Sequence, residues 1–207
     1  LYDAFYSSDY EKFKELYESY LDHPKAKIHK ARDIAIKMLT ESVETGRIYV
    51  HYVDEANRHT PFRTGEVLDD GGVDRIYSSN LCLEIEIPTR EFTDMQDLYS
   101  DDPHGEIGLC SLSSIVQGRV TDEEYEDVAY YTLLFVDNTL EIMDYPFPSL
   151  RRTARARRNI GIGMTNLAHD IASRGLSYTT QEGKKYIHYV SERHAYYLYK
   201  ASLQLAK

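Results

Sequence analysis

Helical segments alternating with single short strands predict an α/β fold for this chain. Three observations carry the prediction. Apolar residues recur at helical spacing in several long segments. Short runs rich in β-branched and aromatic residues stand between them. Capping or turn residues mark most of the junctions.

Residues 9–22 (DYEKFKELYESYLD) place Phe13, Leu16, Tyr17 and Tyr20 on one helical face, and HPKAK then interrupts. A second helix is expected over 28–45, with Ile28, Ala31, Ile34, Ala35, Met38 and Leu39 as its stripe and Gly46 as its end. RIYVHYV, 47–53, reads as a strand. From about Asp54 to Ser79 the chain reads as a polar loop containing the turn signal DDGG. NLCLEIEI reads as extended, 88–103 as a loop, and GEIGLCSLSSIV, 105–116, as a strand. Thr121 followed by Glu124 is a capping pair that opens a long buried helix over 121–145. PFPS breaks it. After a basic run come NIGIGMTN, a helix near 165–174 closed by Gly175, and a last helix over about 183–205.

The 207 residues suffice for one domain with a real core, at 42% apolar and 28% charged residues. The net charge of −10 argues against broad electrostatic binding to nucleic acid or an anionic membrane. No apolar run approaches the roughly 18 residues of a bilayer span. The first residues, LYDAFYSSDYEKFKELY, have no signal-peptide pattern and no initiator methionine. The chain therefore reads as cytoplasmic, and as beginning after processing or inside a longer protein.

The only cysteines are Cys82 and Cys110, too few for a disulfide framework and without finger spacing for zinc. Cys82 lies in SNLCLEIEIPT. In an extended chain, Asn80, Cys82 and Glu84 would project to one side, and Leu81, Leu83 and Ile85 would bury on the other. An amide, a thiol and a carboxylate in a row can orient a hydroxyl, act as nucleophile or radical carrier, and accept a proton. The structural alternative is a capping Asn80, a packed Cys82 and a solvated Glu84.

SNLCLEI followed by GEIGLCSLS resembles the large (α) subunit of class I ribonucleotide reductase. The likeness continues through ETGRIYVHYVDEANRHTPF and DYPFPSLRRTARARRNIGIGMTNLA into YYLYKASLQLAK, in order and over nearly the whole chain. It implies that residues 1–207 form a single partial catalytic barrel domain. That domain would be part of a ten-stranded α/β barrel with a finger loop carrying the radical cysteine. By this resemblance Cys82 becomes a thiyl radical that removes the 3′ hydrogen of a ribonucleoside diphosphate. Glu84 accepts the proton of the 3′ hydroxyl, and Asn80 hydrogen-bonds the ribose and helps the 2′ hydroxyl leave as water. Asn80, Cys82 and Glu84 would thus also bind substrate. Cys110 corresponds to one half of a redox dithiol that supplies two electrons and becomes a disulfide. Cys82 and Cys110 are then expected to face one cavity from opposite sides of a sugar, close but not bonded.

The same resemblance implies partners. They are the remaining α-subunit segments, an α homodimer, a metal-containing small (β) subunit that supplies the radical, and thioredoxin or glutaredoxin as reductant. No cofactor or metal is expected on this chain, and the ATP and dNTP effectors would bind elsewhere in the α subunit. The second dithiol cysteine, the substrate-phosphate turn and the radical-relay tyrosines of the family have no match here, so the chain reads as a middle piece. The alternative is a non-catalytic fragment acting only as a structural or assembly module.

Other features have plain readings. RRTARARR, 151–158, lacks the interleaved aromatics of a nucleic-acid patch and reads as a solvated loop and helix start. NIGIGMTN is neither a dinucleotide fingerprint nor a P-loop, and its Gly161 and Gly163 suggest close backbone packing. Tyr130–Tyr131 and Tyr196–Tyr197 read as ordinary helical pairs. His51, His59 and His104 are scattered near acids and read as unbound to metal.

Overall fold

The computed structural model describes residues 1–7, 9–66, 73–100 and 104–207. The DDGG signal and the end of the 88–103 loop lie outside the described residues. The chain divides into two compact units, one of residues 1–93 with 104–106 and the other of 94–103 with 107–207.

The first unit is mainly helical. Helix α1 spans Tyr2–Tyr6 and α2 spans Tyr10–Ser19. Asp9 caps α2 by accepting from the Lys12 N–H at 3.0 Å. The two helices meet through Phe5 and Phe13, whose rings stand 5.6 Å apart edge to face. Helix α3, Ala31–Thr45, ends at Gly46, whose φ of 66° is the left-handed conformation that suits glycine at a helix end. The helices at 9–22 and 28–45 are thus present, each a few residues shorter.

RIYVHYV is not a strand. Residues 47–52 pair with no other segment among the described residues, and a fourth helix, α4, spans Val53–His59 where a loop was expected. β-branched and aromatic content marks a segment that can pack on a sheet, and supplies no partner strand. Helix α4 instead holds the chain that leads to Cys82. Asn57 donates to the Ile76 carbonyl at 2.8 Å and accepts from the Ile76 N–H at 2.9 Å, with Ile76 fully buried.

The second unit carries the α/β organisation. Strand β1 is Ser111–Val116, half of the expected segment, and β2 is Ile160–Thr165. They pair in parallel over six positions, from Ser111 beside Ile160 to Val116 beside Thr165. Parallel neighbours need a long crossover. Here it consists of α5, Tyr125–Ile142, and α6, Pro148–Arg157. Thr121 and Glu124 do form reciprocal bonds, with Glu124 Oε2 accepting from the Thr121 N–H at 3.2 Å. They close a turn just ahead of α5, which starts at Tyr125.

Pro148 occupies the first turn of α6, where a missing N–H costs nothing. The basic run is therefore mostly helix. Arg155 and Arg158 fold back on α5, Arg155 to Glu141 at 3.2 Å and Arg158 to Asp137 at 2.7 Å. Its bonds to Asp137 and Glu141 hold the Arg158 guanidinium above its ordinary pKa, against a smaller opposing effect of burial. Two of the run's five arginines are thus paired with acids of α5. Helix α7, Leu167–Ser173, precedes Gly175, and α8, Gln181–Leu205, closes the chain.

The core of this unit lies on one face of the sheet. Ile115, Tyr125 and Ala129 are buried together, with Ile162, Val128, Tyr197 and Leu198 against them. Helices α5 and α8 therefore cover the face of β1–β2 that carries Ile115 and Ile162. Leu112 and Val116 point to the other face and are 59% and 44% exposed.

Candidate active site

Residues 80–85 do not form the extended row expected of them. They form a tight turn closed by Asn80. The Asn80 N–H donates to the Ile85 carbonyl at 3.2 Å, and the Asn80 carbonyl accepts from the Leu83 N–H at 3.2 Å. Asn80 Oδ1 accepts from the backbone N–H groups of Glu84 at 3.0 Å and Ile85 at 3.1 Å. An asparagine side chain that satisfies two backbone donors offers the chain an alternative to a strand ladder. Leu83 accordingly takes a φ of 55°, a left-handed conformation uncommon for a branched side chain. The alternation is lost with it, and Leu81 is 91% exposed rather than buried.

The turn still brings two of the three groups together. Asn80 Nδ2 donates to Glu84 Oε1 at 3.0 Å, so the amide fixes the carboxylate directly. Cys82 sits between them in the chain, at the tip of the turn, as an exposed free thiol. Asn80 and Glu84 are exposed as well. Below the tip the limbs come together at one antiparallel bridge, Arg75 with Thr89, and Asp74 accepts from Arg90 Nε at 2.9 Å. A cavity of about 570 Å³ borders this loop, lined by His51, Tyr52, Glu55, Ile76, Leu83 and Glu86 among others. His51 Nε2 lies 2.8 Å from Glu86 Oε1, out of line for a hydrogen bond, and His59 Nε2 lies 3.0 Å from Glu55 Oε2. Among the described residues, no group of three or more His, Cys, Asp or Glu is placed to hold a metal ion.

Cys110 immediately precedes β1 and is half-buried, outside any disulfide. Its Sγ lies 3.8 Å from the Ser111 carbonyl. A Cβ built on Gly161 would meet both Leu112 Cδ2 and Cys110 Sγ, so these side chains share the sheet face that α5 and α8 leave uncovered.

The opposite face is fixed by a partly buried polar network. Tyr125 lies 2.8 Å from His194 Nδ1, and His194 Nε2 lies 2.9 Å from the Ile162 carbonyl. A carbonyl only accepts, so Nε2 carries the hydrogen, and in the neutral ring Nδ1 accepts from the Tyr125 hydroxyl. This chain ties α5 and α8 to β2 at the residue beside Gly161. Burial pushes the Tyr125 hydroxyl above its ordinary pKa, against the pull of Arg193, whose guanidinium stacks 4.0 Å above the ring. Partners 69 residues apart left no local signal for sequence reasoning to find.

A family profile described as ribonucleotide reductase, barrel domain, matches residues 2–207. The chain belongs to this family. It is similar to curated proteins called ribonucleoside-diphosphate reductase subunit alpha. That of Haemophilus influenzae is 37% identical across all of this chain and 26% of its own length. That of enterobacteria phage T4 is 36% identical across 98% of this chain and 25% of its own. The ribonucleoside-diphosphate reductase 1 subunit alpha of Escherichia coli is 38% identical across all of this chain and 26% of its own. This reductase-family chain thus spans about a quarter of the length of these relatives. No helix among its described residues is long and apolar enough to cross a membrane.

Proposed function

We propose that this chain is the part of a ribonucleoside-diphosphate reductase α subunit that carries the radical cysteine and one cysteine of the redox dithiol. The observation that carries the reading is the Asn80–Glu84 hydrogen bond at the tip of the Cys82 turn, in a chain matched along its length to the barrel family. The loop over 73–89 is the finger loop in this reading, and both units belong to one ten-stranded barrel completed by other segments of the α subunit.

The chemistry assigns a step to each residue. A thiyl at Cys82 takes the 3′ hydrogen of a ribonucleoside diphosphate, leaving a carbon radical and a thiol. Glu84, acting as general base, takes the proton of the 3′ hydroxyl, and the Asn80 amide holds that carboxylate in place while contacting the ribose. The 2′ hydroxyl leaves as water. The dithiol that contains Cys110 supplies two electrons and closes to a disulfide, and Cys82 returns the 3′ hydrogen. Cys82 and Cys110 face the same sugar from opposite sides, too far apart to bond. A metal-containing small subunit generates the radical, thioredoxin or glutaredoxin reopens the disulfide, and an α homodimer binds ATP and dNTP effectors outside this chain.

Glutamine at position 84 tests the role of the carboxylate, because it keeps the acceptor oxygen that Asn80 grips and removes the base. In the chain assembled with the remaining α-subunit segments and the small subunit, Glu84→Gln lowers turnover by about a hundredfold or more. Full turnover in that variant would remove Glu84 from the mechanism and favour the purely structural module.

A further inference from the structure

Glycine is a poor strand residue, because it adds backbone entropy to the unfolded chain and no packing to the sheet. Strand β2 nevertheless carries two, Gly161 and Gly163, on the same face. Neither has a positive φ, so neither is needed for its backbone conformation. Their surroundings differ. A Cβ on Gly163 would meet only the Ser113 carbonyl, at an ordinary 3.9 Å. A Cβ on Gly161 would stand 2.7 Å from Leu112 Cδ2 and 3.4 Å from Cys110 Sγ. Leu112 is an exposed, flexible side chain that can swing aside. The sulfur is held on a short stem at the start of β1, and a methyl at 3.4 Å would occupy one side of it permanently.

We propose that Gly161 is a positioning residue that keeps one side of the Cys110 sulfur open for the second sulfur of the dithiol. The proposal rests on the reading of Cys110 as a redox thiol. In the step it serves, two thiols become one disulfide. Of their two hydrogens, one ends on C2′ of the nucleotide and one in the released water, so the nucleotide is reduced as the thiols are oxidised. An incoming sulfur must come within about 2.05 Å of Sγ and needs an unobstructed line to it. The Tyr125–His194–Ile162 chain anchors the neighbouring residue of β2 and so holds Gly161 in place beside the sulfur.

The test is the rate at which Cys110 is alkylated by iodoacetamide in the full-length reduced protein, followed peptide by peptide across pH, with Cys82 as the internal reference. Gly161→Ala is expected to lower the plateau rate at Cys110 by about fivefold, because access limits the reaction once the thiolate is formed. The pH midpoint should stay in place, since a methyl adds bulk and no charge. Gly163→Ala should leave both cysteines unchanged. The double variant Gly161→Ala, Leu112→Ala removes the tighter contact and retains the methyl beside sulfur, so it should fold and stay slow at Cys110. An unchanged Cys110 rate in either Gly161 variant overturns the proposal. The rate reads Gly161 whether or not the protein turns over nucleotides, so its failure is distinct from failure of the reductase reading.

Discussion

Asp170, on α7, is 4% exposed and carries a charge that the fold has to satisfy. Burial alone would raise its carboxyl. Hydrogen bonds from Tyr186 at 2.5 Å, Gln117 at 3.2 Å and Arg174 at 3.1 Å outweigh this and hold it below the usual carboxylate range. An unfolded aspartate titrates near 3.9, so Asp170 contributes its full stability above about pH 4. That contribution is lost as the pH falls through the lower folded-state value. Asp170→Asn should therefore cost about 1.5–3 kcal/mol at neutral pH and flatten the loss of stability on acidification. Urea midpoints taken from neutral pH down to about pH 3 check both effects. A variant with the parent's acid slope would show that Asp170 is not the titrating group.

At the same scale, the candidate site was legible as a set of residues and illegible as a shape. Asn80, Cys82 and Glu84 stand out by type and spacing. Period two then predicted their directions, on the premise that the chain is extended. The asparagine side chain overturns that premise by capturing the N–H groups of Glu84 and Ile85. A pattern of side chains does not reveal when one of them will bond the backbone instead of facing outward. Gly161 stood out only as a sign of close backbone packing, because its neighbour Cys110 is 51 residues away and only the β1–β2 register brings them together.

Among elements, those with strong helical periodicity were found, as α2, α3, α5, α7 and α8 show. Helix α4 was missed because VDEANRH has no apolar stripe and is held by Asn57 rather than by a buried face. The apparent strand at 47–53 failed for the reverse reason, having strand composition and no partner. Helix α3 is the case in which periodicity was right and burial was not. It has no buried residue, and Leu39 and Val43, one turn apart, are 67% and 86% exposed. Apolar surface left in water drives association. The isolated chain should therefore self-associate with rising concentration in sedimentation velocity, and Leu39→Lys with Val43→Lys should weaken it. A monomer at every concentration would show that α3 is covered in solution.

For the whole molecule, family membership extends over residues 2–207, while the curated relatives are about four times longer than their matched part. The acidic net charge of −10 and the internal pairing of Arg155 and Arg158 both disfavour nucleic acid as a partner. The proposed chemistry begins at the sulfur of Cys82. The direct measurement is deoxyribonucleotide formation by the chain assembled with the remaining α-subunit segments and the small subunit, given a ribonucleoside diphosphate and dithiothreitol. The account predicts turnover by the parent chain and none by Cys82→Ser; retained turnover in Cys82→Ser would contradict it.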